Sequence, residues 1–355
     1  MMKKTLLTRV LAMAVPLTMP LTMPLTISLT VSSVYADESA KTISMTQSLL
    51  DNVIMPDIDT AQSAVAALQK ALAENADGGQ RGQAVDQAFS QLVSAWKAVQ
   101  TAYIVGELDS SMIDTPRLMD TFHEGNEKLS EQIQRAVNSG DEPRVALFKN
   151  TFKSINALAI LLYTDKDLNA GERRYADYVL TTLGKHLSDI KTAYAAQTSA
   201  FNKNQDQSMS YILNALIDSS YKLKEWRIGE AAGLTKKYAG KANNRHQEYP
   251  RSGNSLLAAE AIIAVHDKMM GQRDYENLGS AAIKQGAEKE VTAIRQLIGK
   301  AQQQLAALQA DKVNDFADSR IKPLYETLGQ LNDAYYQSLV KALPVQAKIL
   351  DADGD

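Results

Sequence analysis

The sequence predicts an all-α protein in which two related helical bundles follow an export signal. Apolar residues recur at spacings of three and four along most of the chain, as Ala61, Val65 and Leu68 show. No segment alternates apolar and polar residues over the length of a strand. Residues 154–158 and 252–256 resemble each other, and each segment opens an apolar helical run, which indicates a duplicated bundle.

Residues 1–36 predict a secretory signal peptide that is cleaved after Ala36. A basic start without acidic residues leads into an apolar stretch over residues 10–34. Pro16, Pro20 and Pro24 interrupt that stretch, and each would cost a membrane-spanning helix about 3 kcal/mol. The chain has no cysteine and therefore lacks the residue that a lipid anchor needs. We expect a periplasmic protein.

The mature chain divides into a first bundle over residues 37–203, a second over 204–345 and an acidic tail over 346–355. The first bundle contains five predicted helices, near 56–77, 83–105, 115–138, 141–163 and 172–201. The second contains four, near 209–229, 252–270, 291–308 and 324–343. A polar segment separates the two bundles, and a long basic loop is predicted over 233–250, where function is more common than in short connections.

Charge and composition exclude several classes of function. The full chain has 38 basic and 41 acidic residues, and three basic residues leave with the signal, so the mature net charge is −6. Nucleic acid is therefore not an expected partner. No segment after the signal approaches the roughly 20 apolar residues of a membrane span. Without cysteine there are no disulfides and no thiolate chemistry.

Two pairs of side chains are weak candidates for a metal site. His123 and Glu127 share a helix face at a spacing of four, and His186 and Asp189 do so at a spacing of three. Two ligands are too few for a tight site, and a solvated helix surface is the favoured explanation of both pairs. The cofactor therefore stays unknown, and the chain need not have one.

The other two histidines have different surroundings. His246 lies in the basic loop, where it either binds a ligand or is simply exposed. His266 closes an apolar helix and is predicted to be a charge partner of the helix C-terminus. The chain lacks the H-E-x-x-H and G-x-S-x-G motifs, a phosphate-binding glycine loop and a calcium loop.

The sequence resembles the imelysin-like family of exported bacterial proteins over about residues 42–342. Four segments carry the resemblance: the Trp96 helix up to Leu108, residues 153–163 followed by Arg173-Arg174-Tyr175, Arg227-Ile228-Gly229, and residues 251–256 opening a helix that ends at Gly271. The resemblance implies two related bundles with a site at their interface. It also implies an association with iron uptake, and some members are described as metallopeptidases.

The signature of that family is G-x-H-x-x-E on a helix of the first bundle. Here Ser154 stands in place of the glycine, Asn156 in place of the histidine and Ala159 in place of the glutamate. Alanine offers no ligand, and asparagine offers only a neutral oxygen. The family's metal ligands therefore do not carry over to this chain.

The surviving interface is predicted to bind a small ligand or a metal chelate. The candidate residues are Trp96, Ser154, Asn156, Arg227, Ser252 and Asn254. Helix capping and hydrogen bonds across the interface explain the serines and asparagines equally well. We expect a non-catalytic accessory protein of iron or other metal acquisition. Two alternatives stay open: a metallopeptidase with relocated ligands, and a helical structural partner of an envelope protein.

Overall fold

The computed structural model describes residues 44–75, 79–122 and 128–347. The predicted signal peptide and most of the predicted acidic tail lie outside these ranges. The described residues belong to one compact unit. Apart from an isolated bridge between Gln80 and Asp167, they contain no strand pairing, which confirms the all-α fold.

Most of the described residues lie in helices. The α-helices up to residue 203 are α1 (Met45–Leu49), α2 (Met55–Glu74), α3 (Gln83–Thr101), α4 (Val105–Leu108), α5 (Thr115–Met119), α6 (Leu129–Ser139), α7 (Pro143–Ala146), α8 (Ile155–Tyr163) and α9 (Ala170–Lys203). The later ones are α10 (Gln205–Lys222), α11 (Ser255–Met270), α12 (Leu278–Lys284), α13 (Glu288–Ala310), α14 (Ile321–Asp333) and α15 (Val340–Ala342).

Three segments widen into π-helix, namely Leu50–Ile54, Leu223–Glu230 and Ala334–Leu339. Each continues directly from an α-helix and runs into another helical residue. π-Helical turns inside α-helices are frequent at functional sites. The segment Leu223–Glu230 carries Arg227, one of the predicted site residues.

Two predicted helices are wrong as continuous elements. The helix expected over 115–138 ends at Met119, and Asp120 adopts an extended backbone. The helix expected over 141–163 is divided into α7, the 3-10 turn Asn150–Lys153 and α8. Helix α12 was not predicted, because seven residues are too short to show a clear helical periodicity.

Packing brings the early and late helices together at α3 and α11. Helix α2 packs against α3 and α9, α3 packs against α11, and α11 packs against α13. Asn204, between α9 and α10, caps α10 by accepting a hydrogen bond from Gln207 N at 3.1 Å. The predicted bundle boundary lies at this residue, and the division into two related bundles stays a prediction. Among the described helices, none combines the length and apolarity that a membrane crossing requires.

Candidate functional site

A buried lysine holds together residues that are distant in sequence. Lys97 lies on α3, and its side chain is fully buried. Its Nζ donates to Asp120 Oδ2 at 2.5 Å, to Glu248 Oε1 at 2.6 Å and to Gln100 Oε1 at 2.9 Å. Burying an ammonium is costly unless anions and hydrogen bonds compensate for lost water, and here two carboxylates and an amide oxygen do so.

Arg227, which lies in the π-helical segment Leu223–Glu230, pairs with the same Glu248. Its Nε donates to Glu248 Oε2 at 2.8 Å, and a second nitrogen donates to Gln100 Oε1 at 3.3 Å. Its guanidinium lies over the ring of Phe122, 5.8 Å from the centroid. Burial disfavours the charged form of Arg227, but the charge and hydrogen bond of Glu248 together with the nearby Asp120 and Tyr249 outweigh burial and raise the pKa of the guanidinium.

Asp120 accepts hydrogen bonds from three side chains at one oxygen. Besides Lys97, Trp96 Nε1 donates to Asp120 Oδ2 at 3.1 Å and the Tyr249 hydroxyl donates at 2.6 Å. Burial alone would raise the pKa of Asp120, but Lys97, the hydrogen bond from Tyr249 and the charge of Arg227 together reverse this, and the pKa is lowered. Burial and the nearby Asp120 and Glu248 carboxylates raise the pKa of Tyr249 well above its usual value, so Tyr249 stays a neutral donor.

The charged network is defined by Lys97, Asp120, Arg227 and Glu248. It contains two cations and two anions, so its charges balance. One acceptor is left over, because Asp120 Oδ1 is buried and accepts no hydrogen bond from the described residues. Buried carboxylate oxygens in native proteins usually have a partner, either a protein group or an ordered water.

Three of the six predicted site residues are members of this network or lie next to it. Arg227 is a member, and Trp96 donates to Asp120. Asn156 is adjacent, because its Oδ1 accepts from Thr121 N at 2.8 Å, next to Asp120.

The remaining three predicted residues have other hydrogen-bond partners. Ser154 caps α8, where its Oγ accepts from Ala157 N at 3.3 Å. Ser252 Oγ lies 3.5 Å from the Tyr249 carbonyl oxygen, to which it donates. Asn254 Oδ1 accepts from Ser90 Oγ at 3.0 Å, while its buried Nδ2 has no partner in the described part of the chain.

Sequence reasoning missed Lys97, Asp120, Gln100, Glu248 and Tyr249 as members of one cluster. The only local signal was Lys97. It follows the fully buried Phe89 and Val93 at successive spacings of four, which puts a charged residue on the apolar face of α3. The carboxylate partners lie 23 and 151 residues further along the chain.

Of the four predicted metal candidates, the structure describes His186 and Asp189. His123 and Glu127 lie outside the described residues. His186 is half-buried, and burial lowers its pKa, while its predicted partner Asp189 forms an ion pair with Lys185 at 3.0 Å. Within residues 44–75, 79–122 and 128–347, no three His, Asp or Glu side chains are grouped as metal ligands would be.

The other two histidines lie in contrasting surroundings. His246 packs against the ring of Tyr238, with centroids 4.7 Å apart. His266 is fully buried, its Nδ1 lies 3.0 Å from the Tyr335 hydroxyl, and burial lowers its pKa to about 3. The prediction of a charged helix-end partner is therefore wrong for His266, because the imidazole is neutral at ordinary pH.

The chain is similar to a known protein family and to two solved structures. The family model named Imelysin, of peptidase class M75, matches residues 54–342. An imelysin-like protein from Psychrobacter arcticus has a similar structure, with a TM-score of 0.69 and 16% identity over 86% of this chain and 96% of that one.

A second solved structure is also similar. It belongs to a Parabacteroides distasonis protein that carries the name iron-regulated protein A precursor. The TM-score is 0.62, with 14% identity over 84% of this chain and 94% of that one. At such low identities the two structures establish a shared fold and nothing further. None of the curated proteins compared with the chain matches it.

Proposed function

We propose, since this chain belongs to the imelysin family, that it is a non-catalytic binding or accessory protein of iron or other metal acquisition. The link to iron is supported by the name of the similar Parabacteroides distasonis protein, iron-regulated protein A precursor. The basic and apolar start of the chain supports export to the periplasm, with cleavage after Ala36.

The non-catalytic proposal is supported by the contacts that the residues at the three signature positions make. The Ser154 hydroxyl caps α8, and the Asn156 carbonyl oxygen accepts a backbone N–H. Ala159 is buried and contributes only a methyl group. This donor set does not fit a transition-metal ion, because it lacks both the imidazole and the carboxylate, and its two oxygens already have protein partners.

The predicted ligand-binding residues differ in how far their side chains are exposed to solvent. Trp96, Ser154, Arg227 and Asn254 are buried, whereas Asn156 and Ser252 are half-buried. A ligand that arrives from solution reaches the half-buried pair first. We therefore assign ligand contact to Asn156 and Ser252, and support of the site to the four buried residues.

The proposal predicts a growth defect that appears only when iron is scarce. In the source bacterium, deletion of the gene should slow growth in chelator-treated medium and leave growth in iron-replete medium unchanged. A plasmid copy should restore growth. A copy with Asn156→Ala and Ser252→Ala should restore it only in part, because both assigned ligand contacts are removed.

A His186→Ala copy is the matched control, because His186 has no role in the proposed site. It should restore growth fully. Failure of this copy alone would favour a metallopeptidase with relocated ligands. Equal growth of the deletion strain in both media would contradict the link to iron.

A further inference from the structure

A concave surface lies along α6 and the segment around α7, and none of its residues belongs to the charged network. This groove has a volume of about 370 Å³, and its apolar walls are Ala136, Val145, Ala146, Phe148 and Phe152. Sites for small molecules typically measure roughly 300–1,000 Å³ and are lined mainly by apolar side chains with a few polar groups. The groove therefore has the size for one small ligand.

Two of the apolar walls are exposed to an unusual degree for their size. Phe148 is 71% exposed and Val145 is 58% exposed. The Phe148 ring packs edge-on against the buried Phe152, with centroids 5.5 Å apart, so the groove has an aromatic floor and wall. Apolar area that stays in water contributes nothing to stability, and a ligand that covers Phe148 would gain from its burial.

The polar edge of the groove carries one cation and one anion. Its polar residues are Gln132, Arg135, Ser139 and Asp141. Arg135 is exposed and forms no ion pair with any part of the chain that the structure describes.

Neighbouring residues add positive charge. Arg144 is exposed next to Val145, and it likewise has no ion pair with the described residues. Glu142 does not offset these cations, because it pairs with Arg174 at 3.4 Å. With Glu142 paired, the exposed Arg135 and Arg144 outnumber the single carboxylate of Asp141 in this part of the chain, and this excess of positive charge favours an anion.

We propose that this groove binds one small amphipathic anion, such as a medium-chain carboxylate. The apolar part covers Phe148 and Val145, and the acid group pairs with Arg135, whose planar guanidinium suits a carboxylate. This site goes beyond the proposed function, and it stands or falls without it, because none of its residues belongs to the charged network or to the signature positions.

Calorimetric titration of the purified chain with decanoate tests the proposal. We expect one saturable site with a Kd on the order of 10–100 micromolar, which is ordinary for a single short apolar chain. Decylammonium, with the same tail and the opposite charge, should bind at least about fivefold more weakly because Arg135 repels it.

Substitutions separate the apolar and the charged contributions. Phe148→Ala should weaken decanoate binding about tenfold, and Arg135→Gln should remove the preference for decanoate over decylammonium. Ile113→Ala, which changes another exposed apolar residue outside the groove, is the matched control and should change nothing. All three positions are exposed, so the variants should fold, as circular dichroism would verify. Absence of saturable decanoate binding would overturn the proposal. Phe148→Ala and Arg135→Gln variants that bind decanoate and decylammonium as the native chain does would also overturn it.

Discussion

Replacing Lys97 with methionine should destabilise the protein by about 3–5 kcal/mol, the usual cost of removing one partner from a buried ion pair. Methionine keeps most of the side-chain volume but removes the ammonium. Asp120 and Glu248 would then stay buried with only Arg227 to balance them. Urea unfolding followed by circular dichroism at pH 7 would measure the loss.

Two further variants test whether charge balance is the cause. Adding Asp120→Asn to Lys97→Met leaves one anion and one cation, Glu248 and Arg227, so the double variant should recover much of the lost stability. Lys191→Met breaks an exposed pair with Asp59 and should cost less than about 1 kcal/mol. A loss below about 1 kcal/mol for Lys97→Met would show that the charged network does not stabilise the fold.

Acid should destabilise the protein through His266, starting below pH 6.5. Burial lowers the pKa of His266 from 6.5 to about 3, so the folded state resists protonation that the unfolded state accepts freely. The stability is therefore complete above pH 6.5 and is lost progressively as the pH falls towards 3. Each pH unit in this window costs about 1.4 kcal/mol, which amounts to about 2–3 kcal/mol at pH 4.5.

A His266→Gln variant isolates this contribution, since glutamine keeps a hydrogen-bonding side chain but does not titrate. The difference in unfolding free energy between pH 7 and pH 4.5 should be smaller in the variant by about 2–3 kcal/mol. Asp57 acts in the opposite direction, because burial raises its pKa and its protonation relieves a buried charge, but it does so in both proteins. Identical pH dependence in the two proteins would show that His266 is not the responsible group.

The long helices could be predicted because their periodicity is local. The apolar face of α13, formed by Val291, Ile294, Ile298 and others, is visible in the sequence and is buried as expected. The interruption at Asp120 could not be predicted in this way. Its carboxylate pairs with Lys97 on another helix, and such a long-range contact overrides local helix propensity.

The candidate site was predictable only in part for the same reason. Trp96 and Arg227 belong to recognisable segments, and the structure places Arg227 in the charged network and Trp96 in a hydrogen bond to Asp120. Glu248 lies in the predicted basic loop, where nothing in the neighbouring residues indicates that it is buried against Lys97. A balanced cluster built from four separate segments has no single motif, so only the three-dimensional fold reveals it.

We expect this family member to work without a bound metal ion, because its signature positions lack the ligands. Elemental analysis followed by calorimetric titration of the purified chain with iron, zinc and copper tests it most directly. A variant with Ser154→Gly, Asn156→His and Ala159→Glu, which restores the signature, serves as the reference. We expect no stoichiometric metal in the native chain and tighter binding by the variant. One equivalent bound by the native chain with a Kd below about 1 micromolar, lost on His123→Ala or His186→Ala, would contradict it.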